Sequence, residues 1–198
     1  MGAPRRISGI ASTTNVAGSK MKTALVIAAT IVLVVPLAIW SIGSMLPVTH
    51  VATGSRTVNA KMREVGHWIR NVQDQPAWRP DVKEVVILET MPTLRYREES
   101  GNGKIHFRFS EINPGTLFES VIDDASLPFG GRWLIRLENA DPNTVVTVRE
   151  EGEVRTPLFR FFSKYVFGHE KTLNKYLDDL SRHASQQRKV TVSESSPE

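Results

Sequence analysis

Cysteine is absent from all 198 residues. That excludes a disulfide-stapled mini-domain and a Cys-ligated zinc module. It leaves the compartment open, because a reduced cytosolic protein and an exported one that needs no staples look alike. Catalytic signatures are equally scarce. There is no GxSxG elbow, no Walker loop, no HExxH and no GxGxxG, and Gly101 and Gly103 read as hairpin glycines. The five histidines, His50, His67, His106, His169 and His183, lack ligand spacing, so neither a metal site nor a cofactor is expected. With 40% hydrophobic and 23% charged residues, the chain is neither disordered nor fibrous, and one globular domain with extensions is the natural size.

Acidic residues are missing from the first 46 positions, and this decides what the net charge of +4 means. Residues 1–22 carry Arg5, Arg6, Lys20 and Lys22, and residues 23–46 carry no formal charge. Taking those four from the 25 basic residues leaves 21 bases against 21 acids in 47–198. A charge-balanced domain lacks the phosphate attraction on which nucleic-acid binding rests, so no nucleic-acid partner is expected.

From Ala24 to Leu46 the chain reads ALVIAATIVLVVPLAIWSIGSML, with twelve Leu, Ile or Val among 23 residues. As a helix the run is about 34 Å long at about 1.5 Å per residue, against a hydrocarbon core of about 30 Å. Its aliphatic residues favour insertion by roughly 4 to 7 kcal/mol. A signal peptide fits poorly: the run is too long, a 22-residue leader precedes it, and Thr49-His50-Val51-Ala52 is a poor cleavage site. Arg6 at the sixth position defeats a myristoylation motif. The expected layout is a basic disordered tail over 1–22, a transmembrane helix over 23–46, a soluble domain over 50–183 and a flexible tail over 184–198. The bilayer is then a partner of a single-pass protein. Lys20 and Lys22 abut the run while the far side is uncharged until Arg56, which puts the amino terminus in the cytoplasm and the domain outside.

Residues 51–58 read as a strand, and Asn59 as the N-cap of a helix whose apolar face is Val58, Met62, Val65, Ile69 and Val72. Pro76 and Pro80 leave room for a single turn between them. Six strands follow, at 82–89, 93–99, 104–111, 116–123, 131–139 and 144–153. Their short Gly/Pro/Asn turns force antiparallel neighbours and a meander. Alternation puts Ile105, Phe107 and Phe109 on one face, as it does Leu94 with Tyr96, and Trp133 with Ile135 and Leu137. Thr156 and Pro157 then open a long helix. Its stripe of Leu158, Phe161, Phe162, Tyr165, Val166, His169, Leu173, Tyr176, Leu177 and Leu180 must lie across the sheet to be hidden.

Asp74-Gln-Pro-Ala-Trp-Arg-Pro-Asp-Val82, Leu127-Pro-Phe-Gly-Gly-Arg-Trp133, Asn143-Thr-Val-Val-Thr-Val-Arg-Glu150, Pro157-Leu-Phe-Arg-Phe-Phe162 and Tyr165-Val-Phe-Gly-His169 carry a resemblance. Together they resemble the START-like (SRPBCC) superfamily, in its bacterial polyketide cyclase/dehydrase-type branch, over about residues 50–183. The resemblance implies an α+β helix-grip fold. In it a curved seven-stranded antiparallel sheet wraps a long C-terminal helix, two short helices follow the first strand, and a deep apolar cavity lies between sheet and helix.

The residues expected to line that cavity are Trp78, Leu94, Tyr96, Phe107, Phe109, Trp133, Ile135, Phe162, Tyr165, Val166, His169 and Leu173. His169 is the one histidine placed near the cavity and the only candidate acid/base, although a hydrogen-bonded helix histidine is the simpler account. Asp123-Asp124 and Glu150-Glu151 read as solvated strand ends, and Arg95, Arg97 and Arg108 as the wet outer face. Three functions remain: a membrane-anchored, non-catalytic binder of a hydrophobic small molecule or lipid; a polyketide cyclase/dehydrase-like enzyme on an apolar substrate; and an interaction platform with a solid core.

Overall fold

The structure is a computed structural model that describes residues 14–101, 103–167 and 170–194. It opens with α1, Thr14–Met45, a 32-residue helix containing Pro36. The expected boundary at residue 23 moves back by nine residues, so 14–22 are helical rather than disordered tail; residues 1–13 lie outside the described residues. Once a helix is nucleated each further residue adds a hydrogen bond at little cost, so the apolar run carries its polar flank with it. The hydroxyls inside the run bond back to carbonyls one turn earlier: Thr30 to Val26 at 2.9 Å, Ser41 to Leu37 and Ser44 to Trp40 at 2.8 Å. From Lys20 to Met45 this helix is long and apolar enough to cross a membrane. Between Lys20 and Leu46 only Ile39, Gly43 and Leu46 are covered, on one face at its end.

The domain follows as β1 (Thr49–Val58), α2 (Met62–Arg70), a 3-10 turn (Val72–Asp74), α3 (Gln75–Trp78), β2 (Val82–Glu89), β3 (Leu94–Ser100), β4 (Gly103–Asn113), β5 (Leu117–Ile122), β6 (Phe129–Ala140) and β7 (Asn143–Val154). Then come α4 (Pro157–Phe162), a π-helical turn (Ser163–Phe167) and α5 (Glu170–Glu194). The seven strands form one curved antiparallel sheet in the order β1-β7-β6-β5-β4-β3-β2, so the first strand pairs with the last. This is the expected meander and helix-grip architecture. Gly115 closes the β4–β5 turn at φ +70°, where a side chain would be strained.

Three local expectations change. Asn59 does not cap α2; the helix starts at Met62, and the Glu64 carboxylate accepts the Lys61 backbone N–H at 2.9 Å, while Asn59 receives the Arg188 guanidinium. The long terminal helix is described in two stretches, α4 with its π-helical turn and α5, with residues 168–169 between them outside the described residues. Its stripe is continuous in sequence, but α4 packs on the last turn of α1 and only α5 lies across the sheet, burying Leu173, Tyr176, Leu177, Leu180 and Ala184. The third is its end: α5 continues to Glu194, through residues expected to be a flexible tail.

Helix α5 runs in the same direction as β1. Leu173 sits beside Gly54, Asp178 binds Arg56 (2.5 and 3.0 Å), and Arg188 reaches Asn59. A Cβ at Gly54 would stand 2.4 Å from Leu173 Cδ2, so the missing side chain is what lets helix and strand approach. The core of Val58, Val65, Ile69, Phe118, Ile135, Leu137, Val146 and Val148 lies between sheet, α2 and α5.

Candidate functional site

Cross-strand partners share a face, so the register defines the concave side. Phe107 pairs with Tyr96 and Ile122, Trp133 with Ser120 and Glu150, Ala52 with Glu150, and His50 with Gly152. Burial along this face is graded. Toward the end of β1, Val58, Phe118, Thr144, Val146 and Val148 have no exposure at all. Toward its start, where α1 joins, His50, Phe107, Ile122, Trp133 and Glu150 face inward yet stay only half-buried. The concave face, where the resemblance implies a deep cavity, is therefore filled in its distal half and only half-covered toward the α1 end.

At that end a groove of about 320 Å³ is lined by Thr49, His50, Val51, Gly131, Glu151, Gly152 and Glu153. Its size is at the lower limit for small-molecule pockets. Two glycines make the room. The His50 ring lies over Gly152, where a Cβ would come within 2.3 Å of it, and Gly131 (φ +138°) would place a Cβ 2.4 Å from the Glu151 carbonyl oxygen.

A polar and aromatic strip leads inward from the groove. Glu150 accepts from Trp133 Nε1 at 3.0 Å and meets His50 Nε2 at 3.1 Å. Trp133 stands edge-on to Tyr176 at 5.4 Å, as does Trp78 on the same ring. The Arg79 guanidinium is 5.6 Å from the Tyr176 ring centre and clamps Glu98 at 2.8 and 3.3 Å, with Gln75 Oε1 accepting at 2.6 Å. Both members of this pair are buried. Burial works against the Arg79 charge, but the Glu98 and Asp81 carboxylates outweigh it and its pKa is raised. Burial pushes the Tyr96 hydroxyl up to about 12 despite its hydrogen bond with Ser120, and it pushes Tyr176 up as well, against the pull of Arg79.

Of the residues expected to line the cavity, Trp78, Tyr96, Phe109, Ile135 and Leu173 are buried in the core, with Leu94, Phe107 and Trp133 packed against it. Phe162 is half-buried on α4, edge-on to Phe161, away from that cluster. Tyr165 is exposed and lines nothing inside, because the stretch that carries it follows α4, which packs on α1. The Val166 side chain and His169 lie outside the described residues. Glu150 is not a solvated strand end. Strand alternation turns it inward under Trp133, while Glu151 faces out to Arg132 and Arg149. Arg95 and Arg97 do sit on the outer face, paired with Asp123 and Glu89 and with Glu84.

Sequence reading missed Arg79, Glu98, Tyr176 and His50 as site residues. The signal for Glu98 was available: Leu94, Tyr96, Glu98 and Ser100 alternate on the inner face, and a carboxylate there needs a cation. His183 was missed too. It packs between Trp68 (4.8 Å, edge-on) and Trp78 (6.2 Å), and desolvation lowers its pKa. Among the described residues, no cluster of three His, Cys, Asp or Glu could hold a metal.

Residues 49–184 match the family model described as polyketide cyclase/dehydrase and lipid transport. The chain belongs to that family. For this polyketide cyclase/dehydrase and lipid transport family member, similar solved structures include three of different origin. One is a START superfamily protein from Mycobacterium smegmatis, at 15% identity and TM-score 0.57, covering 70% of this chain and 99% of that one. The Zhui aromatase/cyclase from Streptomyces sp. R1128 aligns at 15% identity and TM-score 0.60, covering 70% and 95%. Norcoclaurine synthase from Thalictrum flavum, a point mutant holding a transition-state analogue, aligns at 12% and 0.57, covering 71% and 97%. At such identities the likeness establishes the START-like fold. Among curated proteins, none matches the chain.

Proposed function

We propose that this family member is a membrane-anchored binder of a hydrophobic small molecule or lipid, held at the open end of the concave face without bond chemistry. The burial gradient carries this reading. A stable core hides its inward aromatic residues, yet Phe107, Ile122 and Trp133 face inward and remain partly accessible. An apolar ligand would remove that surface from water at about 25 cal/mol per Å². Only Leu46, Pro47 and Val48 separate α1 from β1, so a bilayer crossed by α1 holds the groove beside its lipids and raises their effective concentration. Lys and Arg before the span support an inner amino terminus and an outer domain. The inward Arg79 and Glu98 charges are committed to one another, which favours binding over chemistry.

One observation favours the enzyme reading. The His50–Glu150 contact at the groove is the imidazole–carboxylate arrangement that general acid/base catalysis uses. A single experiment separates the two. The full chain is purified in native lipid nanodiscs and its apolar extract identified by mass spectrometry. Binding predicts an unchanged compound near one per chain, depleted about tenfold in Trp133→Ala. A chemically altered compound, lost in His50→Gln, selects the enzyme. An extract identical to that of an unrelated anchored protein overturns both.

A further inference from the structure

The segment Pro157–Phe167, α4 with its π-helical turn, is apolar at seven of eleven positions, but none of its described side chains, 157–165, belongs to the buried core. Leu158, Phe159 and Tyr165 are exposed at 41, 45 and 57%. Instead the segment is fixed to α1. Gly43 lies so close to Pro157 that a Cβ there would stand 2.0 Å from the Pro157 carbonyl oxygen. Arg160 donates to the Leu46 carbonyl at 2.9 Å and the Ser44 carbonyl at 3.5 Å, which the end of a helix leaves without intrahelical partners.

This contact sets a height. The apolar run from Ala24 to Leu46 is about 34 Å long against about 30 Å of hydrocarbon, so its last turn stands at the headgroup boundary. Helix α4 is pinned to that turn. Its residues suit such a place. Phe161 packs with Phe162 and Tyr165 at 5.7 and 5.1 Å, and the exposed Lys164 ammonium lies 5.5 Å from the Tyr165 ring. Aromatic rings with flanking cations concentrate at membrane interfaces.

We propose that Pro157–Phe167 is an interfacial foot: it lies in the headgroup-to-acyl boundary of the bilayer that α1 crosses and sets the open end of the concave face against the lipid. The proposal rests on the anchored reading above and adds a route, in which an apolar ligand passes between bilayer and groove without crossing water. One bilayer covers the bare sides of α1 and the bare face of α4 together, whereas a second protein would have to cover both.

The absence of native cysteine permits single-site labelling of the full chain. Phe159→Cys, Tyr165→Cys, Val34→Cys in the middle of α1 and Arg136→Cys on the exposed outer face of β6 are each labelled with a nitrobenzoxadiazole dye. They are reconstituted in vesicles of phosphatidylcholine and phosphatidylglycerol at 7:3. Doxyl groups high or low on the acyl chain then act as quenchers. The proposal expects Val34 to be quenched by the deep label, and Phe159 and Tyr165 by the shallow label at least twofold more than Arg136. Quenching at Val34 with none at Phe159 and Tyr165 overturns the foot and leaves the anchor standing. No quenching at Val34 overturns the anchor and the foot with it. A disulfide between two unlabelled Phe159→Cys chains, with no quenching of the labelled ones, assigns the face to a second copy and also overturns the proposal.

Discussion

Arg79 and Glu98 are the residues on which the interior depends most sharply. Replacing Arg79 by Met leaves a buried carboxylate without its cation, at a cost of about 3–5 kcal/mol, whereas Arg79→Met combined with Glu98→Leu removes both charges and recovers most of that loss. Denaturant midpoints of the two variants check this. Tyr96 and Tyr176 set an alkaline limit. Burial holds the Tyr96 hydroxyl at about 12 and raises Tyr176, whereas an unfolded tyrosine ionises near about 10. The stabilising effect is complete below about pH 10 and declines above it, where the unfolded chain releases protons that the folded one keeps. The denaturant midpoint therefore falls from pH 9 to pH 11, and Tyr96→Phe flattens the fall. At this scale the sequence was half legible. Alternation placed Tyr96, Phe107 and Trp133 on the inner face, because strand geometry alone decides that. Arg79 was not legible, because its partner lies nineteen positions away and only the sheet register brings the two together.

At the scale of elements, turn chemistry made the strands readable. Asn113-Pro-Gly115 and Asp141-Pro-Asn143 end strands wherever they occur, and the meander follows from short links. The long helix on the sheet was legible, but its first stretch was misplaced, because an apolar stripe shows that a face must be covered but does not name the partner that covers it. Leu173 and Leu177 meet the sheet at Gly54 while Pro157 meets α1 at Gly43. The α5–β1 contact is close enough to test directly. Gly54→Ala drives a methyl into Leu173, which is fully buried and has nowhere to turn, so thermal denaturation should show a loss of about 1–3 kcal/mol.

For the whole molecule, α1 and the domain are separate units joined by three residues and the α4 contact. The core lies entirely within residues 52–184. Residues 47–198 expressed alone should keep a cooperative melt within a few degrees of the full chain, and should leave the membrane fraction of a lysate that retains the full chain. A melt lost on removal of 1–46 would show that α1 is part of the fold. Chain length and charge balance made this division legible, since an uncharged run and a neutral domain differ in composition along their whole length.

Because β1 pairs with β7 along its full length, from Thr49 with Glu153 to Val58 with Thr144, the strand leaving α1 runs lengthwise beside its partner. A load on α1 enters β1 at Thr49 and, through the Gly43–Pro157 contact, also reaches the chain just beyond β7, so it is shared between two strands already bonded along ten residue pairs.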